Sequence, residues 1–400
     1  MAAREPLSTP PAFGVRAHLG CAAADAPRPA VIIVINALHS GGAEKTCVEL
    51  ARSLRHSHDV QVIGLLSGGP TECELRALGV GVMVPRAASG AWVKLRLAWD
   101  LIALVARKRP AMVISFLYAA DFIAGVLSRI VAPRTEIFWN IRCNVLAPDR
   151  MSALSRLFAR LDAWVSPLVP NGIVYCSKLA RQQHEDFGYR SRRSYIVENS
   201  AAAVPFAFSL EKRAKFRYER ALDRFTFLFV GRFDPVKRID MFIDACAQVE
   251  RAHPGRARFL IAGRDMEASN PRLAALLERS ATGQSFGLLG YVSDQQALYS
   301  AADCLVVTSE SEGSPNVVYE AIATRLQTLI LATLGTESIS GYGVRRLASR
   351  SLDELADVMM KMLAGGIPQD STRVVPGGGT VALEHPLVSF YKSVLTIGPP

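Results

Sequence analysis

Two carboxylates, Glu312 and Glu320, bracket the start of a helix in the stretch CLVVTSESEGSPNVVYEAIA. A buried strand ends at Thr308-Ser309-Glu310. Ser314 is placed to cap the following helix, Pro315 suits its first position, and the helix runs on through Asn316 and Val317. A helix N-terminus favours an anion, and carboxylates accept strong hydrogen bonds from hydroxyls. Carboxylates on either side of such a terminus suit a ligand with hydroxyls flanking a phosphate, the layout of a sugar nucleotide: sugar, diphosphate, ribose. The plainer alternative is a first-turn Glu and an exposed loop Glu. A second stretch, TFLFVGRFDPVKRIDMFIDA, reads as a strand, a turn at Gly231, an N-cap at Asp234 and a helix opening at Pro235. Arg232 then sits at a strand tip and Lys237 at a helix start, both within reach of an anion on the helix N-terminus. Taken alone they read more simply as solvated loop cations. Beside the paired carboxylates they read as a diphosphate clamp.

A third stretch, IVINALHSGGAEKTCVELARSL, tests a rival chemistry. A P-loop needs Gly, four residues, then Gly-Lys-Ser/Thr, so that backbone amides cradle phosphate. Glu44 stands where the second glycine belongs, ahead of Lys45-Thr46. Its charge would repel phosphate and its Cβ would block the approach, so a strand, a glycine turn and a helix remain. Neither the histidines nor the seven cysteines pair at metal-ligand spacing, and no metal or cofactor is expected. An odd, scattered cysteine set without CxxC indicates a reducing compartment.

These residues need a scaffold, and the pattern supplies one. Ten apolar runs alternate with helical stretches: Val31–Ile35, Val60–Leu66, Met112–Phe116, Glu136–Trp139, Ile173–Cys176, Phe225–Val230, Arg258–Ala262, Ser285–Leu289, Cys304–Thr308 and Thr328–Leu331. Such alternation predicts α/β architecture with parallel sheets covered on both faces. Two sets of strands in 400 residues imply two Rossmann-like, doubly wound domains facing across a cleft, with the ligand at the strands' carboxyl ends. We expect a loose tail over 1–29, an N-terminal domain over 30–200, a C-terminal domain over 201–380, and a last segment over 381–400. The seam falls between Asn199 and Asp223, where the alternation stops.

With its order of motifs, Glu312-x7-Glu320 after Gly231-Arg232…Lys237 and GYVSDQQALYSAADCLVV, the chain resembles the retaining GT-B glycosyltransferases of family 4. The likeness runs over nearly the whole length. It implies that Arg232 and Lys237 neutralise the leaving diphosphate, that Glu312 binds the donor sugar and that Glu320 binds the ribose. Gly231 and the backbone of Ser314, Pro315, Asn316 and Val317 would lie along sugar and phosphate, and Gly290, Tyr291 and Val292 would line the base pocket. Gly41, Gly42 and Arg142 fall in the acceptor-side loops, and HPLVSFYKSVL resembles the final helix that crosses back to the first domain. The implied activity is metal-independent transfer of a hexose from a UDP- or GDP-sugar to a cell-envelope glycan or lipid-linked acceptor. Alternatives are a sugar-nucleotide-binding protein with weak or no catalysis, and a GT-B epimerase. Three departures stand out: Ala119 in SFLYAADF where many members have His, AIATRLQTLI running on through Arg325 in place of a Cys-Gly-x-Pro turn, and NSAA from Asn199 in place of Asn-Gly-x-Asp.

The net charge of +10 is uneven. Residues 1–200 carry 24 Lys/Arg against 15 Asp/Glu, and residues 201–400 carry 22 against 21. A basic half suits an anionic partner; no nucleic-acid recognition motif is present. WVKLRLAWDLIALVARKR puts Trp92, Leu95, Trp99 and Ile102 at helical spacing among basic residues, and RMSALSRLFARLDAWV does the same with Leu154, Leu157, Phe158, Leu161 and Trp164. Taken one at a time, each stripe reads best as the core-packing side of a helix. Together with the charge they are compatible with peripheral contact of a cytoplasmic enzyme with an anionic membrane.

Overall fold

The computed structural model describes residues 28–39, 41–66, 68–85, 91–144, 151–280, 286–337, 339–365, 373 and 384–397. They form two parallel sheets. The first contains β1 (Ala30–Ile35), β2 (Asp59–Gly64), β3 (Gly81–Met83), β4 (Met112–Phe116), β5 (Glu136–Ile141), β6 (Gly172–Tyr175) and β7 (Ser194–Ile196), in the order β3-β2-β1-β4-β5-β6-β7. The second contains β8 (Phe225–Val230), β9 (Ala257–Ala262), β10 (Phe286–Gly290), β11 (Cys304–Val307), β12 (Gln327–Ile330) and β13 (Val344–Arg346), in the order β10-β9-β8-β11-β12-β13. The ten expected strands are all present. The three further ones, β3, β7 and β13, are three-residue edge strands of half-buried or exposed residues, too short to show a period.

In both sheets the chain order reverses beside the first strand, between β1 and β4 and between β8 and β11. The crevice at such a switch point is where doubly wound sheets bind ligands. The loops after β1, β4, β8 and β11 carry Gly41 and Gly42, Ala119, Arg232 and Lys237, and Glu312. The sheets thus deliver the residues of interest to one edge each.

Helix Pro386–Ile397 packs on the first sheet although the second sheet precedes it in the chain. Leu387, Val388, Tyr391 and Val394 are buried with Val31, Ile33, Leu50 and Val62. The Tyr391 hydroxyl donates to Asn140 Oδ1 at 2.9 Å.

The opposite face of that sheet corrects an expectation. Helices Ala91–Lys108, Ala119–Val131 and Ala153–Val165 cover it. The first buries Leu97, Leu101, Leu104 and Val105, while Trp92, Leu95 and Trp99 stand in solvent. The third buries Ala159 and Asp162, while Leu154, Leu157 and Trp164 are exposed. Both stripes singled out in the sequence therefore point away from the core. Helix Ala91–Lys108 carries a second apolar stripe on its far side, and that one meets the sheet.

The stretch after Glu320 does not run on. Helix Asn316–Ala323 ends and Arg325 takes the left-handed conformation at φ +51°. Its guanidinium lies 4.5 Å from the centre of the Tyr342 ring, and β12 follows. The turn is made without glycine, held by a cation–π contact.

Candidate active site

The loop after β8 is a short 3₁₀ turn, Pro235–Lys237, ahead of helix Ile239–Ala252. Asp234 caps the turn, accepting from the Val236 amide at 2.9 Å. Lys237 thus sits in that turn and not at the start of the long helix. Arg232 is exposed and holds Asp234 Oδ2 through Nε and Nη2, at 2.8 and 2.7 Å. Burial works against the Asp234 charge, but the Val236 amide and Arg232 together keep its carboxyl below the ordinary range. The guanidinium is therefore oriented before any ligand arrives.

Lys237 reaches across to the loop after β11, where its Nζ donates to both oxygens of the buried Glu312, at 2.7 and 2.9 Å. Thr308 fixes the backbone beneath, its hydroxyl donating to the carbonyls of Lys237 and Arg238 at 2.9 and 2.8 Å. The next helix, Asn316–Ala323, is preceded by Pro315 at the cap position. Ser314 was expected to cap it and does not: no cap bond forms, and its buried hydroxyl has no partner. A buried hydroxyl without a partner costs stability, and here it stands between Glu312 and the helix start. Glu320, also buried, accepts from Lys45 Nζ of the first domain at 2.9 Å.

The structure brings the two sets of expected residues into contact. A Cβ on Gly42 would lie 3.1 Å from Asn316 Nδ2, so glycine lets the loop after β1 reach the helix start. Arg142 Nη2 donates to Asn199 Oδ1 at 2.5 Å, and Asn199 Nδ2 donates to Asn316 Oδ1 at 2.5 Å. Arg142 also donates to the Val197 carbonyl at 3.1 Å, and burial lowers its pKa. Asn144 Nδ2 donates to the Glu312 carbonyl, and Cys176 Sγ to the Gly313 carbonyl at 3.2 Å. Gly41 is the N-cap of helix Gly42–Leu54, in extended backbone with no side-chain cap bond.

Gly290 ends β10 at φ +59°, Tyr291 is half exposed, and Val292 is partly buried. Beside Gly290 lies a shallow cleft of about 490 Å³ lined by Phe233, Asp265, Glu267 and Asn270 among others. It adjoins the expected base pocket, and not the gap between Glu312 and Glu320.

Ala119 opens helix Ala119–Val131 directly after two strained residues, Leu117 at φ +69° and Tyr118 at φ +39°. The turn drives the Tyr118 phenol inward, against Cys143 Sγ at 3.1 Å and His184 Nε2 at 3.4 Å. Burial pushes the His184 pKa down to about 4. This histidine packs among aromatic rings behind the loop.

Sequence reasoning missed Lys45, Asn199 and Gly263. Lys45 was weighed only as a P-loop lysine, yet a cation following a glycine turn at the end of β1 was the available signal. Asn199 stood at the edge of the expected seam. Gly263, at φ +137°, lies against Gly231, and its partner is remote in sequence. Among the described residues, no three His, Cys, Asp or Glu side chains are grouped to hold a metal ion.

Comparison with known proteins bears on the family and the fold. Residues 40–201 match the family described as Glycosyltransferase Family 4, and residues 224–365 match Glycosyl transferases group 1. Together these cover well over half of the chain. A Campylobacter jejuni protein is 24% identical over 304 residues, 73% of this chain and 76% of its own. It is described as the GalNAc-alpha-(1->4)-GalNAc-alpha-(1->3)-diNAcBac-PP-undecaprenol alpha-1,4-N-acetyl-D-galactosaminyltransferase. Anabaena HepE in complex with UDP-glucose superposes with a TM-score of 0.69 at 15% identity, over 92% of this chain and 94% of its own. WaaG, a glycosyltransferase involved in lipopolysaccharide biosynthesis, superposes with a TM-score of 0.61 at 15% identity, over 86% and 92%.

Proposed function

The chain belongs to the GT-B glycosyltransferases of family 4, group 1, and from that premise we propose that it transfers a hexose, with retention, from a nucleoside-diphosphate sugar to a lipid-linked or cell-envelope glycan. One observation carries the donor assignment: Glu312 and the unpartnered Ser314 hydroxyl precede helix Asn316–Ala323 and Glu320 lies in its second turn, with Lys237 on Glu312. UDP-glucose is the first donor to try, because HepE was solved with it bound. The acceptor class rests on the undecaprenol-linked substrate of the Campylobacter relative. The cytoplasmic setting expected from the odd, scattered cysteines is kept in this reading.

In this reading the diphosphate lies between Arg232, Lys237 and the helix start, with Ser314 to Val317 along sugar and phosphate. Ribose hydroxyls take Glu320, displacing Lys45, and the base lies by Gly290, Tyr291 and Val292. Gly41, Gly42 and Arg142 face the acceptor. The bond from the anomeric carbon to the diphosphate oxygen breaks while the acceptor oxygen bonds to the same face. The acceptor's proton passes to the departing diphosphate. Cations aimed at the charge that develops there supply the stabilisation.

The division of labour between the carboxylates gives the test. In titration calorimetry with UDP and GDP, Glu320→Ala should weaken the preferred nucleotide by about 1.5–3 kcal/mol for each hydroxyl bond lost. Glu312→Ala should leave free nucleotide almost unchanged, because that ligand carries no sugar, and should instead lower turnover and blur the choice of donor sugar. Equal losses in the two variants, or none in either, would remove the donor from this helix start. Transfer should also survive EDTA. Activity abolished by chelation and restored by Mg²⁺ or Mn²⁺ would replace the cation clamp with metal catalysis.

A further inference from the structure

We propose that Lys45 regulates the donor site by competing with the ribose for Glu320, so that the first domain latches the empty cleft and lowers nucleotide affinity. The inference rests on the reading above, in which Glu320 takes the ribose, and adds a device that works against the ligand. Glu320 belongs to helix Asn316–Ala323 of the second domain, and Lys45 to helix Gly42–Leu54 of the first, 275 residues earlier. Their bond, Nζ to Oε1 at 2.9 Å, spans the cleft. Neutral contacts from the first domain land on the same stretch. Asn144 donates to the Glu312 carbonyl, Cys176 Sγ to the Gly313 carbonyl, and Asn199 to Asn316 Oδ1. Those partners are backbone or an amide. Lys45 instead covers the carboxylate that the donor needs.

Local chemistry does not ask for a lysine at this position. Its amide donates to the carbonyl of Gly41, the N-cap, at 3.0 Å, which puts the cation near the start of its helix. A helix N-terminus is positive and disfavours a cation. Glu49, one turn further on, is held by Arg52, and the Glu44 carboxylate folds back over Gly41. The ammonium therefore takes its carboxylate from the other domain. The pair is also lopsided. The Lys45 side chain is 49% exposed and that of Glu320 only 9%. Lys45 can withdraw into water, but a buried carboxylate left bare is costly. Glu320 thus gives up the lysine in exchange for other donors, and a pair of ribose hydroxyls supplies them. Lysine on Glu320 and ribose on Glu320 are alternative states of one site. A contact present only in the empty state lowers ligand affinity by the factor with which it stabilises that state. The sign is opposite to that of a residue that holds the donor. After transfer, the same competition favours loss of the nucleoside diphosphate, and recapture of Glu320 restores the latch.

Titration calorimetry of the full chain with UDP and GDP tests this, using Lys45→Met to keep the apolar stem and remove the charge. The variant should bind whichever nucleotide the wild type prefers about three- to tenfold more tightly, and its donor KM should fall by a similar factor. Without ligand it should melt at a lower temperature than the wild type, because Glu320 is left unpaired, and nucleotide should raise that temperature by more than it does in the wild type. In the Glu320→Ala background, Lys45→Met should change nucleotide affinity by less than about twofold, since nothing is left to compete for. Weaker binding by Lys45→Met would make the lysine a ligand of the donor and overturn the proposal. Unchanged affinity overturns it as well, as does the same gain with and without Glu320. If Glu320→Ala weakens the nucleotide while Lys45→Met brings no gain, the latch alone is refuted and the donor reading stands. If Glu320→Ala leaves nucleotide affinity unchanged, Glu320 does not hold the ribose and both readings fall.

Discussion

Lys237→Ala is expected to cut transfer by at least about tenfold, since removing one preorganised charge from a developing oxyanion costs a few kcal/mol. The ammonium is already positioned, bonded to both oxygens of Glu312 and lying beside the loop that leads into helix Asn316–Ala323. The same contact complicates the variant. Glu312 is only 7% exposed, and stripping the cation from a buried carboxylate destabilises the fold by several kcal/mol on its own. A lower melting temperature is therefore expected alongside the lower rate. The double variant Lys237→Ala with Glu312→Gln separates the two effects, because a neutral amide no longer needs the cation. If stability returns and turnover stays low, the lysine acts on the diphosphate. If turnover returns to that of Glu312→Gln alone, Lys237 serves only to neutralise Glu312. Arg232→Ala should also lower turnover at least about tenfold with little change in melting temperature, since its guanidinium is exposed and Asp234 keeps the Val236 amide.

Gly263→Ala should be the most disruptive single methyl in the second domain. A Cβ there would lie 1.9 Å from the Gly231 carbonyl oxygen and 2.6 Å from its carbon, at a φ of +137° that side chains rarely adopt. Neither backbone can give way cheaply. The Gly231 amide is bonded to the Ala262 carbonyl at 2.9 Å, and the Gly263 amide to the Gly290 carbonyl at 2.7 Å. These bonds tie together the ends of β8, β9 and β10 directly below Arg232. A loss of more than about 3 kcal/mol in urea unfolding is expected, the strain and the clash adding. Gly79→Ala supplies the control. Its φ is +74° with nothing within 4 Å of the added carbon, so only the backbone penalty of about 1–2 kcal/mol applies. Equal losses at the two positions would mean that the strand ends are not in this close contact.

The sequence by itself determined the α/β class and both sheets, and it picked out Arg232, Lys237, Glu312 and Glu320 as the candidate residues of the second domain. Each of those signals is local. A strand of five or six buried residues carries its own hydrophobic run, a Pro after a polar residue marks a helix start, and Glu312 and Glu320 announce themselves by flanking one. What depends on contacts between remote segments was decided only in three dimensions. Ser314 has the residue type of a cap, but the loop that packs Gly313 against Arg142 and Cys143 carries the hydroxyl away from the helix amides. Lys45 and Glu320 lie in different domains, so no spacing rule could pair them. Asn199, at the edge of the expected seam, bridges Arg142 to Asn316, and both partners arrive from other elements. Helix Ala91–Lys108 shows the limit most plainly. Trp92, Leu95 and Trp99 share one side of the cylinder, and Leu97, Leu101, Leu104 and Val105 share the other. Helical periodicity marks both sides as apolar and is silent on which one the sheet covers. The sheet took the aliphatic side, and the tryptophans were left outside.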